Sequence, residues 1–441
     1  MQQFKETGVL INETKTIAKI RWRLVTLLML SYFAAYLDRV NLSFAALSMN
    51  HELGFSASVF GAGAGIFFLG YVLFEVPSNL ALSRFGARRW FARIMLTWGV
   101  ISLLFVFVRS VPGFFGLRFL LGAAEAGFYP GVILVLTRWF PVSYRARMVG
   151  FFSMALPVSA AIGAPLSGLI LNLHGLAGLS GWQWLFIIEA LPSFVMSVVL
   201  LRTLADSPEK AGWLSDQERK WLTQKLSEER KSLPQSGEHR GVARALRNPL
   251  VWLFGFVYAG IVAANYGVSF FLPQIVRAFG LSVSMVGVIS ALPSVAGAIG
   301  LLWWGARSDR LHERRWHLLI PGIIVVLALV VVASTDYPPV RLAALIVCGF
   351  GAFANVPVFW TLPPSVISDS EVPAGIAVIS SIGNVAGFAA PYAVGALKEL
   401  TGTFATGMLA LAIFIALTIC VGAIISRPRT ATRGMIGEAT P

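Results

Sequence analysis

Charge is scarce in this sequence. Only 13% of its 441 residues are Asp, Glu, Lys or Arg, where a water-soluble chain carries roughly a quarter. Mean hydropathy is +0.74. These values exclude a soluble globular protein and imply a chain that crosses a membrane many times. Cysteine is nearly absent: Cys348 and Cys420 both stand in apolar runs, so neither a disulfide framework nor a thiolate metal site is available. The five histidines (His51, His174, His239, His312, His317) fall in or beside polar links, which leaves no midplane relay and no imidazole metal cluster. A phosphate-cradling loop and a dinucleotide fingerprint are both missing, so no cofactor and no ATP coupling are expected. Nor is a cleavable leader expected, because the first 23 residues hold five basic side chains and no apolar core.

What is plentiful is apolar helix. Runs bounded by charges or turn residues fall near 24–48, 57–82, 90–108, 113–139, 148–172, 183–204, 250–276, 283–304, 316–334, 341–365, 372–397 and 402–426. About twenty such residues suffice to cross a bilayer, so twelve spans are expected. The basic residues then sort by side. Of the 35, 29 fall in the N-terminal segment, the even-numbered links and the tail, while Arg109, Arg277, Arg341 and Lys398 fall on the opposite side. Positive links favour the cytoplasm, which places both termini there and explains the net charge of +14 without nucleic acid. The link after the tenth run departs from the trend, offering Asp369 and Glu371.

One polar segment is long. Residues 205–249 separate six runs from six, and Leu214 to Lys231 within them has a helical rhythm with both charge signs; it reads as an amphipathic surface helix or as a solvated tether. The halves also repeat. Arg84, Phe85, Arg88 and Arg89 align with Arg310, Leu311, Arg314 and Arg315 at an offset of 226, which Pro165 and Pro391 share. The expected fold is all-α: twelve transmembrane helices in two six-helix bundles, residues 1–204 and 250–426, with a cytoplasmic linker at 205–249 and a cytoplasmic tail at 427–441. A duplicated bundle of this kind implies a carrier that rocks about a central site.

Four charged residues lie where hydrocarbon depth makes charge costly: Asp38 and Arg39 in the first run, Arg118 and Glu125 in the fourth. Arg118 and Glu125 share one helix face with Gly122. Asp38 and Arg39 point about 100° apart on a helix, so the expected pairing is between helices: Asp38 with Arg118 or another donor, and Arg39 toward a cavity or a carbonyl. A static clamp between two spans is the rival reading, but buried pairs are poor stabilisers. An arginine fork suits an incoming carboxylate, and the resident acids Asp38 and Glu125 then take up protons. Two acids set against two guanidiniums imply two protons per monoanion and electrogenic uptake.

Neutral candidates around the site are Tyr71, Asn265, Tyr266, Trp360, Ser381 and Asn384, which can hold the hydroxyls of a substrate. Packing is the alternative for Tyr71 and Trp360, and inter-helix bonding for Asn384. Glu75, Arg84, Arg88, Arg89, Asp309 and Arg310 are expected to form conformational latches at the basic links. Glu189 is either structural or an accessory charge.

These residues resemble those of the major facilitator superfamily, and within it the anion:cation symporter group of tartrate, galactonate, glucarate and phthalate permeases. The resemblance covers nearly the whole chain through YLDRVNLSFAAL, GIFFLGYVLFEVPSNLALSRFGARRW, RFLLGAAEAGFYPG and GWQWLFIIEALPS. It implies proton-driven import of a small organic anion by a monomer in a bacterial inner membrane, with no enzymatic step. It also implies that Asp38 and Glu125 couple protons, that Arg39 and Arg118 serve the substrate carboxylate and coupling, and that Tyr71 and the region of Asn384 line the site. Galactonate carriers have a glutamine in the fifth span where this chain has Leu156 and Pro157, so tartrate or another hydroxy or sugar acid is favoured, with phthalate-like aromatic acids as the alternative. The family's loop signature G-x-x-x-D-R-x-G-R-R is altered here by Asn79, Ser83 and His312, and Glu75 is expected to supply the missing acid. A proton-driven exporter of cationic or lipophilic compounds is the competing class; the two buried arginines argue against it.

Overall fold

A computed structural model describes residues 12–232, 244–367 and 372–426; the expected tail at 427–441 and the acidic residues Asp369 and Glu371 lie outside them. Twelve helices are long and apolar enough to cross a membrane: α1 Glu13–Leu53, α2 Ala57–Phe85, α3 Ala87–Phe107, α4 Val111–Trp139, α5 Val142–Leu173, α6 Gly181–Thr203, α7 Pro249–Ser269, α8 Val283–Leu311, α9 Arg315–Ser334, α10 Pro338–Phe359, α11 Ala374–Thr401 and α12 Ala405–Ile425. Outward-facing Leu73, Leu80, Ile299, Leu327 and Ile413 are exposed, as a lipid-facing surface requires. Helix starts are set by caps placed in the polar links. Ser56, Ser110 and Ser282 each accept from a backbone N–H in the first turn of α2, α4 and α8, satisfying donors that have no partner within the helix.

The first helix is longer than its apolar run. At about 1.5 Å per residue its 41 residues reach about twice the roughly 30 Å of a hydrocarbon core, so its basic early turns lie beyond the membrane. Twelve passes bring the start of the described chain, the link between α6 and α7, and the end of α12 to one face, here called the link face. The opposite side is the far face.

The helix Asp216–Ser232 in the central link is seated on the first bundle. Glu218 pairs with Lys19 at 2.7 Å, Glu229 accepts the Val142 N–H at 3.0 Å at the start of α5, and Trp213 stacks on Trp139 at 5.7 Å. Its Leu222, with Leu214 just before it, is buried, so the amphipathic face is turned to protein rather than to lipid. Burial raises the Glu218 carboxyl, but hydrogen bonds from Lys19 and Ser215 outweigh it and hold the group below the usual carboxylate range.

The duplication is visible in the helices. α2 and α8 are both 29 residues long, and both of their ends are displaced by 226. The bundles meet where glycines let backbones touch. A Cβ at Gly61 would run into the Pro391 carbonyl, one at Gly65 into Phe388, and one at Gly287 into the Ala164 carbonyl. These contacts lie in the far half of α2, α5, α8 and α11. The inter-bundle hydrogen bonds follow the same pattern: Ser58 N–H to Glu399 at 3.1 Å and Asn172 to Ser284 at 2.8 Å near the far face, and Arg39 to Tyr266 at 2.7 Å at mid-depth. The far face is therefore the closed one.

Candidate functional site

The four deep charges do converge, but with a different pairing from the expected one. Arg39 forms an ion pair with Glu125 and donates its other Nη to the Tyr266 hydroxyl. Arg118, 1% exposed, donates Nε to the Gly63 carbonyl at 3.0 Å and Nη2 to the Ala64 carbonyl at 3.2 Å. Asp38 accepts from Ser102 at 2.9 Å and Asn41 at 3.3 Å, with Oδ2 unpartnered. So Asp38 does not pair with Arg118. The cause is local backbone: α4 breaks after Glu125, where Ala126 has ψ 134° and Gly127 has φ +83°. Left-handed backbone of this kind suits glycine, and a side chain at Gly127 would also meet Ser78. Glu125 thus ends a helical segment, while Arg118, two turns earlier, faces α2.

Close approach decides the rest. A Cβ on Gly122 would collide with the Phe67 carbonyl, and one on Gly70 with the Phe119 carbonyl. With α2 and α4 this near, the Arg118 guanidinium reaches backbone oxygens directly. Phe67 lies beneath both cations, 4.9 Å from Arg39 and 5.0 Å from Arg118, inside the range where a ring face attracts a cation. Nothing in the sequence singled out Phe67; only the crossing of α2 with α1 and α4 brings it there.

Tyr71 is buried beside Phe67, with ring centroids 6.1 Å apart. Tyr266 packs edge-on against Phe68 at 4.7 Å, so the second bundle reaches Arg39 through an aromatic contact as well as a hydroxyl. A cavity of about 50 Å³ lies beside Arg39 and Tyr266, lined also by Tyr36, Ser43 and Ser290. Asn265 donates to the carbonyls of Ile261 and Ala352, both at 3.0 Å; its amide ties α7 to α10. Trp360 packs on Tyr258 at 4.8 Å. Asn384 lies on the α11 face that continues through Gly387, against Phe68, to Pro391, against Gly61; Ser381, three residues before it, is half-buried like Asn384.

The latches also differ from expectation. The Asp206 carboxylate, just past α6, accepts the Arg88 backbone N–H at 2.8 Å and sits against Gly86, whose φ is +86°. Asp206 supplies the acid in the first basic link, where Glu75 was expected; the sequence signal was an acid directly after the sixth span. Glu75 lies about three turns before Gly86 in α2, and its backbone carbonyl accepts from Asn79. In the second copy Asp309 pairs with Arg314 at 2.7 Å rather than with Arg310. Glu313 accepts the Trp316 and His317 N–H groups at the start of α9. Arg84 lies over Phe85, and Arg89 is exposed. Among the described residues no cluster of His, Cys, Asp and Glu could hold a metal ion.

The family profile described as Major Facilitator Superfamily matches residues 28–391. A protein of Agrobacterium vitis named "Putative tartrate transporter" is 43% identical over 425 residues, covering 96% of this chain and 93% of that one. A "Quinolone resistance transporter" of Acinetobacter baumannii is 38% identical over 425 residues, covering 95% and 98%. Among solved structures, a bacterial homolog of the human lysosomal transporter Spinster superposes with a TM-score of 0.76 at 17% identity, covering 92% of this chain and 97% of that one, which concerns the fold alone. A family profile over most of the chain, near full-length relatives and a twelve-helix duplicated fold agree: the chain belongs to the Major Facilitator Superfamily.

Proposed function

We propose that this protein imports a small hydroxylated carboxylate, of the tartrate or sugar-acid class, together with protons across a bacterial inner membrane. The link face is cytoplasmic on this reading, because the N-terminal segment, the even-numbered links and the tail carry 29 of the 35 basic residues in the sequence; both termini then lie inside, and the closed far face makes the state inward-facing. Residues 1–204 and 250–426 are the two rocking bundles, with 205–249 joining them. The relatives named as tartrate transporters support the substrate class.

The observation that carries the reading is Arg39, held by Glu125 of its own bundle and Tyr266 of the other. A substrate carboxylate needs the same guanidinium fork, so it competes with Glu125. Set among Gly122, Ala123, Ala124, Ala126 and Gly127, the displaced Glu125 stands on a buried apolar surface that disfavours its charge, and takes up a proton. Anion and proton then favour each other's binding. Because Tyr266 also holds Arg39, substrate at Arg39 is felt by both bundles, which is what alternating access requires. Arg118 adds positive potential from behind Phe67. Tyr71, Trp360, Ser381 and Asn384 are assigned to the substrate's hydroxyls, and Asn265 to holding α7 against α10. Asp38 is the second proton-carrying group, giving two protons per monoanion.

A second reading, proton-driven export, is favoured by the relative named as a quinolone resistance transporter. Reconstituted protein separates the two. Uptake of hydroxy acids, aromatic acids and a quinolone is measured with pH gradient and membrane potential imposed separately. Import of a hydroxylated acid driven by both is expected. Quinolone movement with no acid uptake would establish export instead.

A further inference from the structure

One buried acid has no part in the scheme above. Glu189 of α6 is 1% exposed; its Oε1 accepts from Ser167 of α5 at 3.0 Å, and its Oε2 has no partner. Among the described residues no ion pair involves Glu189 or Asp38. The two lie close enough for their charges to interact: α1 and α6 pack on each other, with α3 alongside both. Ser102 donates to Asp38, and one turn earlier the fully buried indole N–H of Trp98 faces the Asp38 carboxyl. Gly99, between them, brings α3 against α6: a Cβ there would lie 3.3 Å from that of Ser193. Ser193 is fully buried with its Oγ unpartnered, one turn from Glu189 on the same face.

Ser193 Oγ and Glu189 Oε2 are thus unpartnered polar atoms in one seam of the first bundle, beside the Asp38 carboxyl that Trp98 faces. Native interiors leave few such atoms, and a packing role would call for apolar side chains here. The groups facing Glu189 are Asp38 from α1 and Ser167 from α5; Trp98, Arg118 and Glu125 act on Asp38. At about 1.5 Å per residue, Glu189 lies roughly 12 Å from the far end of α6 and Asp38 roughly 22 Å from that of α1. The seam therefore runs from Asp38 toward the face that is closed to substrate.

We propose that Glu189 is a proton-holding residue, exchanging a proton with Asp38 by way of the Ser102 and Ser193 hydroxyls, which can both accept and donate, so that protons travel on a path separate from the substrate's. An O–H bond on one carboxyl breaks as one forms on the other, and the charge of the pair is conserved. This rests on the proton-coupled reading and deepens it.

The test compares wild type, Glu189→Gln and Ser193→Ala in proteoliposomes. Substrate counterflow at equal pH should be retained. Uptake driven by a pH gradient should fall about a hundredfold in E189Q, the low end for losing a positioned proton-transfer group, and less in S193A, with the pH profile displaced in both. Infrared difference spectra of the purified protein after a pH jump should lose a protonated-carboxyl band in E189Q. A pH profile superimposed on wild type, or counterflow and driven uptake falling together, would overturn the proposal. Wild-type protein with no pH-driven acid uptake would overturn the proton-coupled reading instead.

Discussion

Gly61 of α2 backs onto the Pro391 carbonyl of α11, and the duplication repeats this contact elsewhere. Gly287, 226 positions later, meets Pro165, 226 positions before Pro391. Each bundle contributes one glycine and one proline to the closed far face. Neither glycine has positive φ, so what a side chain would disturb is close approach, not backbone conformation. Gly61→Ala and Gly287→Ala should therefore leave each bundle intact and disfavour the far-closed state, by about 1–3 kcal/mol for an overpacked contact. Thiol labelling at Ser284→Cys, in a background with Cys348 and Cys420 replaced, should accelerate in both variants. Unchanged labelling would show that the far face does not open at this crossing.

The two arginines that share the Phe67 ring should respond differently to loss. Arg39→Lys keeps the charge but loses the fork that serves Glu125 and Tyr266, and should abolish saturable substrate binding. Arg118→Lys loses hydrogen bonds to two α2 carbonyls, each worth about 1.5–3 kcal/mol for a charged donor. It should lower the unfolding temperature more than it changes substrate affinity. Thermal unfolding with and without substrate reads both effects in one experiment.

Glu125→Gln cannot exchange a proton, yet it keeps the shape and can still accept from Arg39. Counterflow should survive while accumulation driven by a pH gradient is lost. Full pH-driven accumulation in E125Q would remove Glu125 from the coupling scheme and leave coupling to Asp38 and its partner Glu189.

The twelve helices and the duplication were legible because they are written in long-range regularities: apolar run length, the side on which arginines fall, and the shared offset of 226. The four deep charges stood out for the same reason, each being costly where it lies. Their partners did not. Whether Glu125 meets Arg39 or Arg118 depends on a single left-handed glycine at 127, and whether Arg118 meets a carboxylate or a carbonyl depends on how closely Gly70 and Gly122 let two backbones approach. Those are properties of a crossing, not of either helix alone. Asp206 was passed over for a related reason: its partner, the N–H of Arg88, lies 118 residues away.

That contact gives a stability prediction at the first basic link. Asp206 accepts a first-turn N–H of α3, as a helix-capping carboxylate does, and replacing such a group by alanine costs about 0.5–2 kcal/mol. Gly86→Ala should cost at least as much, because its φ of +86° disfavours a side chain and its Cβ would strike Asp206. Calorimetry on D206A, G86A and the double variant should give non-additive losses, since both changes break one contact. Simple additivity would separate the two residues.

The second link should be sensitive to acid. Burial raises the Glu313 carboxyl, but the N–H groups of Trp316 and His317 and the His317 ring act more strongly, and the group ends below the usual value of 4.5. A carboxyl lowered by folding stabilises the folded state above its unfolded value and loses that contribution as pH falls through its folded value. The unfolding temperatures of wild type and Glu313→Gln, measured in detergent, should therefore differ by a constant amount above about pH 5 and converge below about pH 4, the range set by an ordinary glutamate. The group is largely open to water, so the difference should be small. It should reflect lost capping of α9, because the Trp316 and His317 N–H groups keep only a neutral acceptor in the variant. A gap that widens on acidification would mean that Glu313 is destabilised by folding, and the assignment of its carboxylate as the cap of α9 would be wrong.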